Sequence, residues 1–515
     1  MNDYRDVVVI GAGPTGLALA IGLRQYGVDV AVVEKADRGK REARAGIVWQ
    51  RALEVLADLG CAEEVLGEGF RLRWTEVFAE GRRVGEMAFG CGGTAFAHPL
   101  SIEQDAVERL LGERLAAVGG EVEWSTEAVG VRAGHDGAEV DLRQEDGSPR
   151  TVRCAWVVGC EGARSVLRKG LGIPFEGAPR PDLQCLQLNA VAGWRYPYAP
   201  DRTYFFLERG ASVGASPRPG GGHRFFCFLT DPDPTLVRPP GVEEMRDLVA
   251  GAAHDPGLRL TPTEPPWANR ARFQDRVAGS LRQGRALLAG DSAHLWAPIG
   301  GHGLNTGLRG AHNLAWKLAT AVHGWAADPC ALLDTYATEQ RLTAMKVMKA
   351  MRHNVLELPP TPLTLLGMRV AGPRLMGSRW FTERIRTMLS DLSMHHKESA
   401  LSREGAGERL PDGPVTVAGR RCRLHDLLSY DRWTLLVAPG AGTRRGVDLA
   451  RLHAVTGAYA LPVEVFRPRL DPGQGERRLP GRALVLVRPD RHTALSTDRV
   501  EDLETYIQRW FVRKG

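Results

Sequence analysis

Gly11, Gly13 and Gly16 stand in the run Gly11-Ala12-Gly13-Pro14-Thr15-Gly16, directly behind the unbroken apolar stretch Val7-Val8-Val9-Ile10. Leu17, Ala18, Leu19, Ala20 and Leu23 follow at helical spacing. This arrangement suits a pyrophosphate. Gly11 permits a tight turn, Gly13 lets the backbone approach the phosphates, and Gly16 lets the helix pack closely on the strand. A helix opening at Pro14 and Thr15 presents unpaired N–H groups and a partial positive charge to the same anion. A second apolar strand over 28–33 ends in Glu34, followed by Lys35, at the distance where an acidic side chain accepts from ribose hydroxyls. The spacing therefore points to an adenine dinucleotide without saying which one.

Two further constellations narrow the choice. Val157-Val158-Gly159-Cys160-Glu161-Gly162-Ala163-Arg164-Ser165 carries a buried strand into a glycine turn and a basic helix. Leu287-Leu288-Ala289-Gly290-Asp291-Ser292-Ala293-His294 is another strand ending in Gly-Asp. Behind it come Pro298-Ile299-Gly300-Gly301-His302-Gly303-Leu304-Asn305 and a helix with Asn313, Trp316 and Lys317. In this order, over about 5 to about 345, the motifs resemble the class A flavoprotein monooxygenases, the aromatic-hydroxylase family typified by para-hydroxybenzoate hydroxylase.

That resemblance implies FAD as the resident cofactor. Asp291 would meet its ribityl and pyrophosphate region, and Gly162 belongs to the same cofactor set. Gly301, Gly303 and Leu304 would pass close to the isoalloxazine ring, and a helix starting near Asn305 would place positive potential where the reduced ring is anionic. Arg44, in Arg44-Ala45-Gly46, and Gln104, opening a helix, match family segments that contact the flavin. Pro298 would shape the gap between flavin and substrate, and Arg44 or His302 would steer reduction. The chain departs from the family pattern at three places: Glu161 for the usual Asp, His302 for the usual Gln, and Gly310 for the usual Asp. His302 is expected either as a neutral hydrogen-bonding substitute or as a pH-sensitive contact.

Elements must hold these motifs in place. The expected fold class is α/β: a Rossmann-like FAD-binding domain, an inserted and mainly antiparallel β-sheet substrate domain, and a thioredoxin-like C-terminal domain. The first is expected over 1–72, 101–180 and 276–345, the second over 73–100 and 181–275. A helical connection is expected over 346–396 and the last domain over 397–515. Alternating segments with turns such as 217–222 give the insertion its strand character. Tyr204, Phe206, Phe226, Phe228 and Trp296 are candidates for lining a flat aromatic cavity, although the pleat register that separates the two faces is not visible in the sequence. A weakly hydrophobic linker is expected over 397–414. Strands over 433–437 and 483–487 and a helix over 500–511 follow it, with no Cys pair for dithiol exchange.

Composition excludes several classes. The 515 residues are 43% hydrophobic and 25% charged, with a net charge of +6 spread along the chain rather than gathered in a block, which argues against nucleic acid. None of the eight cysteines forms a C-x-x-C pair, so no metal site is expected. No membrane span is expected, because no run of eighteen apolar residues occurs. With no leader segment recognised, the expected location is cytoplasmic. The resemblance implies hydroxylation of an aromatic, phenolic and polyketide-like substrate by molecular oxygen and NAD(P)H, with NADPH preferred, in a monomer or homodimer. Baeyer–Villiger oxygenation, epoxidation and oxidative rearrangement are alternatives on the same fold and cofactor, and a non-catalytic flavin-binding protein is a remote one.

Overall fold

A computed structural model describes residues 4–37, 46–230, 232–233, 235–403, 405–438, 448–470 and 482–515. Its first sheet is built around the strand Tyr4–Ile10, which pairs in parallel with Val30–Val33 on one side and Pro149–Gly159 on the other. Ala286–Leu288 extends the sheet in parallel beyond Pro149–Gly159. All three glycine motifs therefore leave neighbouring strands at the same end, where ligands of open parallel sheets bind. The strand after the first helix begins at Val30, two residues later than hydrophobicity predicts. The Val28 N–H is instead spent on the Leu23 carbonyl, closing the turn.

Helix Pro14–Gln25 lies on the long helix His302–Val322. The contact is close: a Cβ on Gly22 would stand 2.8 Å from the Ala315 Cβ. The long helix starts at His302, three residues earlier than the sequence suggested, because Gly301 (φ 65°) adopts the left-handed conformation that starts it there.

The second sheet has nine strands and combines both expected insertions. Its strands are antiparallel except where Arg202–Glu208 runs parallel to Trp74–Ala79. Along His223–Thr230 the pleat turns Phe225 and Cys227 to the face covered by helix Val242–Ala253, and Arg224, Phe226 and Phe228 to the opposite face. Four helices, Pro329–Met351, Pro362–Val370, Gly372–Gly377 and Arg379–Leu389, make the connection to the last domain. Proline stands in the first turn of each of the first three, where its missing N–H costs no hydrogen bond.

Among the described residues the main sheet of the last domain has four strands in the order Val463–Phe466, Trp433–Val437, Leu484–Val487, Thr493–Thr497. The first two are parallel and joined through helix Leu449–Gly457, the last two antiparallel, and helix Val500–Trp510 closes the unit. This is the thioredoxin-like arrangement. Its one cysteine, Cys422, is unpaired. The segment expected as a weakly hydrophobic linker packs against the rest of the protein at Arg409. Arg409 is buried, bridges to His492 through the backbone, and gives its guanidinium to Glu54. No described helix is long and apolar enough to cross a membrane.

Candidate functional site

The first glycine loop is shaped by what its neighbours leave free. Gly11 has φ 103°, and a Cβ there would stand 2.6 Å from the Cys160 carbonyl oxygen. A Cβ on Gly16 would fall 2.0 Å from the Gly11 carbonyl oxygen, so any side chain would push helix and strand apart. Gly13 differs: nothing lies within 4 Å of its ideal Cβ, and its space opens into a cleft. The helix beginning at Pro14 has no side-chain cap, so its first N–H groups are left for a ligand. Glu34 accepts from the Ala12 N–H at 2.9 Å and the Ala36 N–H at 3.0 Å, and each carboxylate oxygen keeps a lone pair for a ribose hydroxyl. Thr15 wedges the first motif against the third. Its Oγ1 occupies the space a Cβ would take at Gly290 and at Gly307.

Glu161 ties the second motif to the third. Its Oε1 accepts from Ser165 Oγ at 2.8 Å and the Leu167 N–H at 2.9 Å, and its Oε2 from Ser292 Oγ at 3.1 Å. Gly162 N–H donates to the same Ser292 hydroxyl at 2.9 Å. The extra methylene relative to Asp is used to reach across to Ser292, which positions Asp291 beside it.

The third motif is braced from behind. Asn305 Nδ2 donates to the Ile47 and Gly301 carbonyls at 2.9 and 2.7 Å, while its Oδ1 accepts from the Trp49 N–H at 2.7 Å. Trp49 Nε1 donates to the Gly300 carbonyl at 2.7 Å. His302 is 1% exposed and stacks on Trp49, with ring centroids 5.8 Å apart and planes 12° apart. Its Nδ1 lies 3.3 Å from Asp391 Oδ2, and its Nε2 has no partner among the described residues. Burial pushes the Asp391 carboxyl up, but Arg309 and His302 together hold it below its ordinary range.

Thirteen of the expected residues border one cleft of about 1000 Å³: Gly11, Gly13, Pro14, Thr15, Glu34, Lys35, Gln104, Gly162, Asp291, Pro298, Gly301, Gly303 and Leu304. Gly16, His302 and Asn305 stand behind it, holding its wall. Arg44 lies outside the described residues. Past Pro298 the same cleft becomes a cavity walled by Phe226, Phe228 and Trp296. Tyr204 and Phe206, the other aromatic candidates, face the opposite side of the sheet and pack with Trp194, Tyr196 and Met245.

Residues 4–351 match the family described as the FAD binding domain, and residues 403–513 match the aromatic-ring hydroxylase C-terminal domain. The chain belongs to the FAD-dependent aromatic-ring hydroxylases. It is 30% identical to a 6-methylpretetramide 4-monooxygenase of Streptomyces rimosus over 96% of this chain and 91% of that one. It is 32% identical to a dialkyldecalin synthase of Streptomyces rugosporus over 99% of both chains. Among solved structures, an anhydrotetracycline hydroxylase from Streptomyces rimosus superposes with a TM-score of 0.78 at 28% identity, covering 99% of both chains.

The hydroxylase cavity also contains polar groups that its sequence did not single out. Arg224, in register with Phe226 and Phe228, donates from Nη2 to Glu103 at 2.6 Å and from Nε to Asn189 at 3.0 Å. Gln187, directly opposite Phe226 on the paired strand, and Ser216 share the wall. The alternation of Arg224, Phe226 and Phe228 is the signal that could have found this group. His294, stacked on Trp296, is pulled down to about 4 by burial, so it is neutral at pH 7. Glu357 also lines the cavity, from an irregular turn after helix Pro329–Met351, and no pattern in the sequence marks it.

Proposed function

We propose that this hydroxylase oxygenates a phenolic, polyketide-like ring using molecular oxygen and NAD(P)H. The single observation that carries the reading is the continuity of the cleft. The glycine cradle for a dinucleotide runs without a break into a cavity walled by Phe226, Phe228 and Trp296, where a flat ring can stack. Bound FAD would supply the two-electron reduction and the activation of oxygen.

The chain's own residues have the remaining tasks. Gly13, Pro14 and Thr15 hold the pyrophosphate, Glu34 takes the ribose hydroxyls, and Lys35 stands at the rim. Asp291 and Gly162 meet the ribityl and phosphate region. Gly301, Gly303 and Leu304 turn backbone groups toward the ring edge, and the helix from His302 lends its positive end. Gln104 closes the near wall, and Pro298 sets the spacing between ring and substrate. His302 and Asn305 act as positioning residues behind the loop. Arg44 is assigned to steering reduction on the family resemblance alone. Phe226, Phe228 and Trp296 exclude water from the reacting ring.

The test is to supply NADPH or NADH and isotopically labelled oxygen to the FAD-loaded enzyme with phenolic polycycles. The expected result is reductant consumption that rises with the ring compound and one labelled oxygen in the product. Reductant consumption that ignores every ring compound, with no label incorporated, overturns the reading. The relative at 32% identity is named a synthase rather than an oxygenase. Cyclisation of an unsaturated substrate without oxygen uptake is therefore the second reading, and the same assay run without oxygen detects it.

A further inference from the structure

Glu357 is a carboxyl group held ready at the cavity wall. The residue is 9% exposed, and among the described residues its only hydrogen bond is at one oxygen: Oε2 accepts from the Gly300 N–H at 2.7 Å. Oε1 has no partner among the described residues, yet it is not sealed in, because the residue borders the cavity that Phe228, Trp296 and Gln187 also wall. Among the described residues no Lys or Arg forms an ion pair with it. The titratable groups facing it are His302, from the start of the long helix, and Cys185, from the adjacent sheet strand. Beyond His302 lies Asp391. A buried carboxyl with one N–H donor and one oxygen turned to an aromatic cavity is unusual, since buried acids are ordinarily paired.

We propose that Glu357 is the catalytic base of this site, taking the proton of the substrate's phenolic hydroxyl. The inference rests on the hydroxylase reading given above. In the step, the phenol O–H bond breaks, its electron pair stays on the phenol oxygen, and the proton bonds to Glu357 Oε1. The phenolate so formed is the electron-rich ring that oxygen transfer requires. The carboxylate is restored when that proton passes to water at the end of the cycle. The Gly300 N–H steadies the carboxylate while its other oxygen works, so the base is fixed to the loop that Pro298 opens. Burial raises this carboxyl to about 7, against the pull of the Gly300 N–H and of the nearby His302 ring. That is the range in which a general base serves a reaction near neutral pH.

The test compares the FAD-loaded wild type with Glu357→Gln and Glu357→Asp, using 2-hydroxyanthraquinone, whose phenolate absorbs to the red of its neutral form. Glutamine keeps an acceptor for the Gly300 N–H, so folding and flavin content serve as controls. In the wild type, phenolate absorption of the bound dye is expected to appear as the dye–Glu357 pair loses its first proton, near pH 7, with the second proton held on Glu357. In Glu357→Gln it should appear only with ionisation of the phenol itself. Phenol-stimulated NADPH oxidation should rise through about pH 7 in the wild type. In Glu357→Gln, kcat/KM at pH 8 should fall by about 10²-fold and lose that rise, with part of the rate restored in Glu357→Asp. Equal ionisation of the bound dye in wild type and Glu357→Gln overturns the assignment, as does a wild type that does not bind the dye. If the dye titrates as expected but no phenol is ever oxygenated, the hydroxylase reading falls and Glu357 stands as a proton acceptor for another reaction.

Discussion

Two buried glutamates near one another in sequence behave in opposite ways. Glu339, on helix Pro329–Met351, is 2% exposed and sits between the flavin-binding domain and the last domain. It accepts from Lys317 at 2.8 Å, from both terminal nitrogens of Arg488 at 2.8 and 2.9 Å, and from Ser399 Oγ at 2.5 Å. Burial pushes this carboxyl up, but Arg488 and Lys317 hold it well below the ordinary carboxylate range. Glu357 is nearly as buried and has a single neutral donor, so burial decides and the carboxyl rises to about 7. Similar desolvation therefore gives an anchor in one place and a proton acceptor in the other. The difference is whether a cation shares the site.

The largest effect that could break this contrast is at the anchor. Glu339→Gln leaves Lys317 and Arg488 buried without their counter-charge, and stability measured by urea unfolding should fall by about 3–5 kcal/mol. An unchanged midpoint would mean that the network is wet rather than buried.

The next effect sharpens the contrast by its sign. Glu357 is raised from 4.5 to about 7 on folding. Its contribution to stability is therefore fully present below pH 4.5 and is lost as pH rises through about 7, on the order of 3 kcal/mol in all. Relative to Glu357→Gln, the wild type should lose stability between pH 5 and pH 9. Glu339 runs the other way. Its contribution is present above about pH 4.5 and is lost as pH falls toward its depressed folded value. Relative to Glu339→Gln, the wild type should lose its advantage in acid. Parallel pH trends for the two pairs would show that their partners do not distinguish them.

A smaller effect is expected at Ser165, whose Oγ caps helix Val166–Gly170 by accepting from the Arg168 N–H at 2.9 Å and also donates to Glu161. Ser165→Ala should cost about 1 kcal/mol in thermal unfolding and weaken flavin retention, because Glu161 loses one of its three tethers. Least of all, Lys346→Ala should change stability by about 0.5 kcal/mol or less, since its pair with Glu398 at 3.0 Å is solvent-exposed. A loss there comparable with Glu339→Gln would mean that charge pairing, not burial, sets the scale.

The motifs were legible where the physical requirement is local. Gly16 answers a constraint five residues back, the Gly11 carbonyl. The spacing of Gly11, Gly13 and Gly16 is read within one turn, although the atom that forbids a side chain at Gly11 belongs to Cys160. Val7-Val8-Val9-Ile10 reads as a strand covered on both faces. Two strands of the last domain, Trp433–Val437 and Leu484–Val487, were equally plain because nearly all their residues are apolar, whereas Val463–Phe466 and Thr493–Thr497, with polar residues among them, were not expected. The packing of Arg409, within the expected linker, is not visible in the sequence. The linker's polar residues look solvated in sequence, yet Arg409 is buried because Glu54, 355 residues away along the chain, neutralises it. Tyr204 and Phe206 could not be told from Phe226 and Phe228 for a similar reason. All are aromatic residues on strands, and only the register between strands decides which face each one takes.

The sequence alone determined the family and the FAD-binding fold, since these follow from residue types at short separations within each motif. Tertiary structure decided what those residues face. His302 could not be placed from its spacing, because its direction depends on the left-handed turn at Gly301 and on the room between Trp49 and Asp391. Glu357 could not be found at all. A carboxyl becomes a base near pH 7 only when folding removes water and supplies no cation, and neither condition is written in the residues beside it.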